Sequence, residues 1–291
     1  MAGDWIAVDW GSTNRRALRI GADGTVADSL RDDRGVLAVA GGDFAAEAAV
    51  IRERLGDLPM LCVGMVGSNR GWIDAGYVAV PTGLDALTAG LCWAEPGRTA
   101  IGPGVCRSAG GRADVMRGEE ALLLGAVAAR LVPPDALVVQ PGTHAKWARL
   151  AGGEITDFTT AMVGEVFALL GKGSLLADGL DQPAVDGPAF RAGVARGAQG
   201  DLLAGLFGAR ASLVLGQRER ADQASYVSGL LIGSDAAVRL AEHDGVVHVL
   251  AEAGMGGLYA AAIDALGHRA AVVDSSAAFV AGISAIWLRR D

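Results

Sequence analysis

Lysine is almost missing from this chain: of 25 basic residues only Lys146 and Lys172 are lysines. Basic charge is also outnumbered, with 33 acidic residues and a net charge of −8. That balance argues against a nucleic-acid binder, which needs a basic face to displace counterions from phosphates. It leaves room for one bound nucleotide, because local dipoles or a metal ion outweigh global charge. Cysteine is scarce too. Cys62, Cys92 and Cys106 form an odd, dispersed set without metal spacing, which excludes a disulfide scaffold and favours a reduced, cytoplasmic chain. No apolar run approaches the roughly 20 residues that span a bilayer, so no membrane partner is expected. Met1-Ala2-Gly3-Asp4 runs straight into a strand with no basic and apolar leader, so no secretory signal is read.

What is present is a globular balance of 51% hydrophobic and 20% charged residues over 291 positions, enough for one large domain or two lobes. One pattern occurs twice. Val8-Asp9-Trp10-Gly11-Ser12-Thr13-Asn14-Arg15 is echoed at Val139-Gln140-Pro141-Gly142-Thr143-His144-Ala145-Lys146. Each copy leaves an apolar strand, turns at a glycine followed by a hydroxyl residue, and returns through a basic residue. The matched spacing sets Gly11 on Gly142, Ser12 on Thr143 and Arg15 on Lys146. Small hydroxylated turns offer backbone N–H groups that cradle phosphate. Two of them suggest two lobes gripping one polyphosphate, and so nucleotide-dependent phosphoryl transfer.

The surrounding periodicity repeats as well. Strands are read at 5–9, 15–20 and 25–29, a helix at 43–55, a strand at 60–66 and a helix at 119–131. Pro133-Pro134 breaks that helix and marks the lobe boundary. The second half restarts with strands at 136–140, 146–150 and 154–159. Helices follow at 160–170, 188–197, 200–218 and 224–243, then strand 246–252, helix 257–266, strand 268–274 and a closing helix 275–289. The expected organisation is an N-terminal lobe over 1–133, with 275–291 packing back on it, and a C-terminal lobe over 134–274. Alternating strands and helices around a duplicated strand-turn-strand core imply an α/β fold of the two-lobed, actin-like or hexokinase type, with a cleft between the lobes.

Two familiar phosphate motifs fail. Gly171-Lys172-Gly173 lacks the Ser or Thr of a P-loop, and Gly254-Met255-Gly256-Gly257-Leu258-Tyr259 lacks the final glycine of a dinucleotide fingerprint. Lys172 is therefore read as a surface residue. Asp9, at a strand end before its glycine turn, suits Mg²⁺ beside phosphates; the plain alternative is a turn-capping carboxylate. Thr13, Asn14 and Arg15 follow, Thr13 read as a phosphate contact and Asn14 and Arg15 as substrate contacts, since an arginine fork suits oxyanions. In the second turn Gly142, Thr143, His144 and Lys146 are the phosphate candidates. Arg70, Trp72 and Tyr77 follow a strand end, where α/β folds place ligands, and are read as carboxylate partner and walls of the acceptor site. Glu119 opens a helix and is either a dipole complement or the base that takes a hydroxyl proton; Asp114 competes for that role. Gly254, Gly256 and Gly257 are read as a bare turn against which an adenine lies. His243, His248 and His268 show no metal spacing.

These segments together carry a likeness. Trp5–Asn14, Gly64–Trp72 and Pro141-Gly142-Thr143-His144-Ala145-Lys146-Trp147 resemble the 2-dehydro-3-deoxygalactonokinases, as do Ser225–Gly233 and the Leu206-Phe207…Arg210 helix. The resemblance spans nearly the whole chain, and the proline-glycine-threonine-histidine segment is its most specific part. It implies an actin-like sugar kinase that uses ATP and Mg²⁺ to phosphorylate 2-dehydro-3-deoxy-D-galactonate at its 6-hydroxyl. It implies Asp9 at the metal-phosphate position of the first turn, Gly142 with Thr143 in the second, and Gly254–Gly257 in the nucleoside region, beside the reading of Gly11, Ser12 and Thr13 as phosphate contacts from the turn itself. Arg117-Gly118-Glu119-Glu120-Ala121 is also similar to the acidic motif of exopolyphosphatase-like relatives, which favours Glu119 as base. Ala145 stands where the pattern often has serine. Two other readings stay open here: a phosphohydrolase of the same superfamily, and a non-catalytic ATP-binding sensor. A homodimer is left open too, as is preference between the galactonate and gluconate epimers.

Overall fold

Two sheets repeat one plan. The structure, a computed structural model, describes residues 3–108 and 110–290, with the side chain of residue 253 set aside. The first sheet begins with an antiparallel meander of β1 (Trp5–Trp10), β2 (Arg15–Ile20) and β3 (Val26–Asp32). After helix α1 (Phe44–Leu55), strand β4 (Met60–Val63) joins parallel to β1. Next come β5 (Tyr77–Ala79), α2 (Leu84–Ala89), β6 (Cys92–Glu95), β7 (Thr99–Ile101), β8 (Gly104–Arg107), β9 (Asp114–Met116) and α3 (Glu119–Ala128). The sheet order is β3-β2-β1-β4-β7-β6, and β5-β8-β9 form a small separate sheet.

The second sheet opens with β10 (Ala136–Gln140), β11 (Ala145–Ala151) and β12 (Glu154–Ala161). Four helices follow: α4 (Val163–Gly173), α5 (Pro188–Ala198), α6 (Leu202–Val214) and α7 (Gln223–Leu240). Then β13 (Val246–Leu250), α8 (Ala253–Ala265) and β14 (Arg269–Val273) precede the closing helix α9 (Ser275–Arg289). The order β12-β11-β10-β13-β14, with β10, β13 and β14 parallel, copies β3-β2-β1-β4-β7 of the first sheet.

The described residues fall into two compact units, Met1–Pro134 with Leu150–Phe158 and Ser275–Asp291, and Asp135–Arg149 with Thr159–Asp274. In the first, the inward residues of β1 and β4 (Ile6, Val8, Trp10, Met60, Cys62) bury against Phe44, Ala48, Ile51 and Leu55 of α1. Asp43 caps α1 by accepting from the Ala46 amide. Helix α9 packs on α3 closely enough that a Cβ on Gly282 would lie 1.8 Å from the Ala121 carbonyl. That contact fixes the helix carrying Glu119. In the second unit, Leu137, Val139 and Trp147 of the sheet bury against Phe190, Val194, Ile232, Tyr259 and Ile263.

The expected α/β plan and duplicated core are borne out. Details differ. The strand read at 60–66 stops at Val63 and gives way to a tight turn over Met65–Gly67. The small β5-β8-β9 sheet, made of strands of three or four residues, has no periodicity to betray it. Helix α8 starts at Ala253, four residues before the position expected.

Candidate active site

The first turn is held by its carbonyls. Gly35, Val36 and Leu37 donate their backbone N–H groups to the oxygens of Thr13, Gly11 and Ser12, and Gly11 N–H donates to Asn14 O. Among the described residues the amides of Ser12, Thr13 and Asn14 have no acceptor. Unengaged donors on a pinned loop form an anion nest. Ser12 is half-buried, Thr13 and Asn14 are exposed, and the Asn14 amide donates to Thr13 Oγ1. Arg15, expected to reach substrate, does not belong with them. It is 2% exposed, its Nε donates to Asp32 Oδ1 at 2.9 Å and its Nη1 to Glu47 Oε2 at 2.8 Å, and Trp10 lies against it. The guanidinium ties β2 to β3 and α1, which corrects the substrate-binding expectation.

Asp9 is the penultimate residue of β1, in register with Val63 at the end of β4. Burial raises its carboxyl above the ordinary range, Glu119 adds to that, and Arg16 and Arg31 oppose it. Gly64 and Gly118, both with left-handed φ (93° and 107°), flank the carboxylate. A Cβ on Gly64 would lie 3.4 Å from Asp9 Oδ1, and one on Gly118 3.2 Å from Gly64 Cα. Only glycine satisfies both the backbone and the space, so these two positions keep the carboxylate's surroundings open. Glu119 Oε2 accepts from the Arg117 amide at 2.9 Å. Glu120, 1% exposed, accepts from the Gly118 amide on both oxygens at 2.8 Å. Its carboxyl is pushed up to about 8, first by burial and then by Glu119. Asp114, the rival base, lies in β9 opposite Arg107 in the small sheet.

The loop after β4 carries Arg70 and Trp72, and Tyr77 opens β5. Arg70 is exposed; Trp72 stacks on Phe44 with ring centroids 6.5 Å apart. Tyr77 is 46% exposed. Arg117 joins this loop to the Glu119 segment: its Nη2 donates to Gly76 O at 2.9 Å and its guanidinium lies 4.3 Å from the Tyr77 ring centroid. Its Nε and Nη1 are buried and have no partner among the described residues. Sequence reasoning gave Arg117 no role. The signal available was a charged residue beside a glycine at a strand end.

The second turn is built alike. Thr143 O accepts from the Glu165 amide and His144 O from Lys146 Nζ at 3.4 Å, while the amides of Gly142, Thr143 and His144 have no acceptor among the described residues. The N-terminus of α4 presses on the turn: a Cβ on Gly164 would lie 2.6 Å from Gly142 O. A helix N-terminus there favours an anion. The His144 ring is paired with Glu165, and Lys146 is 4% exposed; both brace the turn, unlike the phosphate contacts expected of them. Beside Gly142 opens a cavity of about 420 Å³ lined largely by apolar side chains of α4, α7 and α8, among them Phe167, Leu231, Met255 and Leu258. Its size and lining suit a nucleoside. Gly254 borders it, but Gly256 packs on Ala251 and Val272, and Gly257 faces a separate groove with Ala260 and Asp264. The three glycines lie in the first turns of α8, so the bare adenine turn expected there is a helix start, and Gly256 and Gly257 do not reach the nucleoside cavity.

Among the described residues no three His, Cys, Asp or Glu side chains gather as a metal cage. One or two carboxylates beside phosphates are what Mg²⁺ uses, and the Asp9 carboxylate fits that donor chemistry.

A duplicated sheet with a phosphate-type turn after the first strand of each copy defines an actin-like ATPase or sugar kinase fold. Component A of (R)-2-hydroxyglutaryl-CoA dehydratase from Acidaminococcus fermentans shares it, with a TM-score of 0.53 at 12% identity over 100% of both chains. Within that class the chain belongs to the 2-keto-3-deoxy-galactonokinase family, whose model matches residues 9–286. It is 36% identical to the 2-dehydro-3-deoxygalactonokinase of Escherichia coli strain K12 over 297 residues, covering 98% of each. A crystal structure provisionally assigned to the same activity, from Sinorhizobium meliloti, superposes with a TM-score of 0.89 at 34% identity over 97% of both chains. No helix among the described residues is long and apolar enough to cross a membrane.

Proposed function

We infer that the protein is an ATP-dependent kinase that transfers a phosphoryl group to the 6-hydroxyl of 2-dehydro-3-deoxy-D-galactonate, giving the 6-phosphate and ADP. The family supports the reaction. The observation that carries it in this chain is the pair of pinned turns whose amides lack acceptors among the described residues, one beside Asp9 and one beside the nucleoside cavity. With relatives that are kinases by name, the hydrolase and sensor readings are set aside.

Bound ATP with Mg²⁺ supplies an electrophilic γ-phosphorus whose charge is already part-neutralised. The residues do the rest. Amides of Ser12, Thr13 and Asn14, and of Gly142, Thr143 and His144, hold phosphate oxygens. Asp9 would hold Mg²⁺, since a carboxylate withdrawn from water interacts more strongly with a cation. Glu119 accepts the proton of the acceptor hydroxyl as its oxygen bonds to phosphorus and the bond to the β-phosphate oxygen breaks. The Arg117 guanidinium, short of acceptors, takes the substrate carboxylate together with Arg70, with Asn14, Trp72 and Tyr77 completing the acceptor site. Positioning and charge stabilisation account for most of such a transfer.

The test is coupled ADP release over a panel of 2-keto-3-deoxy sugar acids of both epimers, with no-acceptor and polyphosphate controls. Release that requires the galactonate-type acid is expected; release independent of acceptor overturns the kinase reading.

A further inference from the structure

Apart from Arg210 and Ser212, helix α6 is apolar all round, and the chain covers only one side of it. Its inner face carries Gly205 and Ala209, buried against α7, with Leu202 and Leu206 on the same small core. Its outer face leaves Leu203 80%, Phe207 67%, Val214 65% and Leu215 68% exposed. A helix without a polar face is normally buried on every side, so this sequence calls for a cover that one copy does not provide. The helix has 13 residues and is too short for a bilayer.

The outer face has the spacing of a helix–helix seam. Ala204, Gly208, Ala211 and Leu215 recur at steps of four, three and four, flanked by Leu203, Phe207, Arg210 and Val214 at the same steps. This face is complementary to itself. An antiparallel copy about a two-fold axis level with Ala209 sets Leu203 against Leu215, Ala204 against Val214 and Phe207 against Ala211. Each large side chain then meets a small or aliphatic one. Arg210, the one charge on the stripe, comes opposite Gly208, where a Cβ would meet open space, and beside the partner's Phe207, whose ring attracts a guanidinium. The exposed apolar surface, on the order of 500 Å², is at the upper end of what monomers leave open. With the small residues between and the rim, it approaches the roughly 800 Å² per partner of a standard interface. A closed two-fold contact of one patch with itself is the usual way such a face is satisfied.

We propose that α6 is the dimer interface of this protein and that its partner is a second copy packed antiparallel. Light scattering behind size exclusion on the full chain then gives about twice the 29.5 kDa chain mass. Leu203→Glu with Phe207→Glu gives the single-chain mass with an unchanged far-UV spectrum. Independently, Gly208→Cys, near the axis, cross-links two copies on oxidation, whereas Leu203→Cys, far from its own copy across the axis, gives no more cross-link than wild type. A monomeric wild type, a dimer indifferent to the two glutamates, or equal cross-linking at both positions overturns the proposal.

Discussion

The two phosphate-type turns share a scaffold and differ in the side chain that stands two residues before the turn glycine. Each follows the first strand of a duplicated sheet, each has carbonyls tied down, and each leaves three consecutive amides without acceptors among the described residues. Before the first turn stands Asp9, flanked by Gly64 and Gly118 and close to Glu119. At the matching place before the second stands Gln140, whose Oε1 is buried without a partner among the described residues. The first turn is surrounded by acids; the second is pressed by the N-terminus of α4 and opens onto an apolar cavity. On the proposed function, divergence of the two copies assigns the acid and metal chemistry to the first turn and the nucleotide's anchoring to the second.

The largest effect tests that division. Asp9→Asn is expected to lower kcat by about 10³-fold, the scale of losing a principal charge-stabilising or proton-handling group, while ATP still binds by calorimetry. Gln140→Leu leaves kcat near wild type. Comparable losses at both positions in the coupled assay would mean the turns share one role.

The next test works on the second turn alone. Gly164→Ala places a methyl 2.6 Å from Gly142 O, so the turn or α4 must move. Displacing positioning groups by as little as about 1 Å costs up to about two orders of magnitude, and a rise in the KM for ATP of about 10- to 100-fold is expected, with the KM for the sugar acid unchanged. A matched rise in both KM values would argue for general destabilisation, which a thermal melt would register.

Arg117 sharpens the other side. Hydrogen bonds to charged groups contribute about 1.5–3 kcal/mol, so Arg117→Met should raise the KM for the sugar acid roughly 10- to 100-fold and leave the KM for ATP alone. An equal penalty on a neutral analogue lacking the carboxylate would show that Arg117 only holds the Tyr77 loop.

How much of this was legible depended on whether the partners of a residue were near it in sequence. The repeated turns were readable because spacing is local: Gly11 and Gly142 each sit a fixed step after an apolar strand. Arg15 was misread because its acceptors, Asp32 and Glu47, arrive from the third strand and the first helix, and nothing in the turn announces them. Gly254, Gly256 and Gly257 looked like a break, since glycine disfavours helix. Yet Gly256 meets Ala251 and Val272 at 3.1 and 3.2 Å from its notional Cβ, so close packing onto the sheet outweighs propensity. Gly64 and Gly118 face each other only after β4 and the β9–α3 junction converge on Asp9, a convergence no single segment encodes.

The smallest expected effect concerns what the acidic surroundings of the first turn cost in stability. Glu120 titrates near the ordinary value of 4.5 when unfolded and at about 8 when buried beside Glu119. Between those values the unfolded chain has released a proton that the folded protein still holds. Stability contributed by the protonated carboxyl is therefore whole below about pH 4.5, falls as pH rises toward 8, and levels off above it. Glu120→Gln keeps an oxygen to accept from the Gly118 amide and removes the titration. Its melting temperature relative to wild type should climb between pH 5 and pH 8 and exceed wild type by roughly 5 °C at pH 9. A difference that stays flat across that range would mean Glu120 is not the group that titrates, and that the carboxylate pressure around Asp9 is relieved elsewhere. The second turn offers the control: with Gln140 in place of an acid, Gln140→Leu should shift the melt by the same amount at every pH.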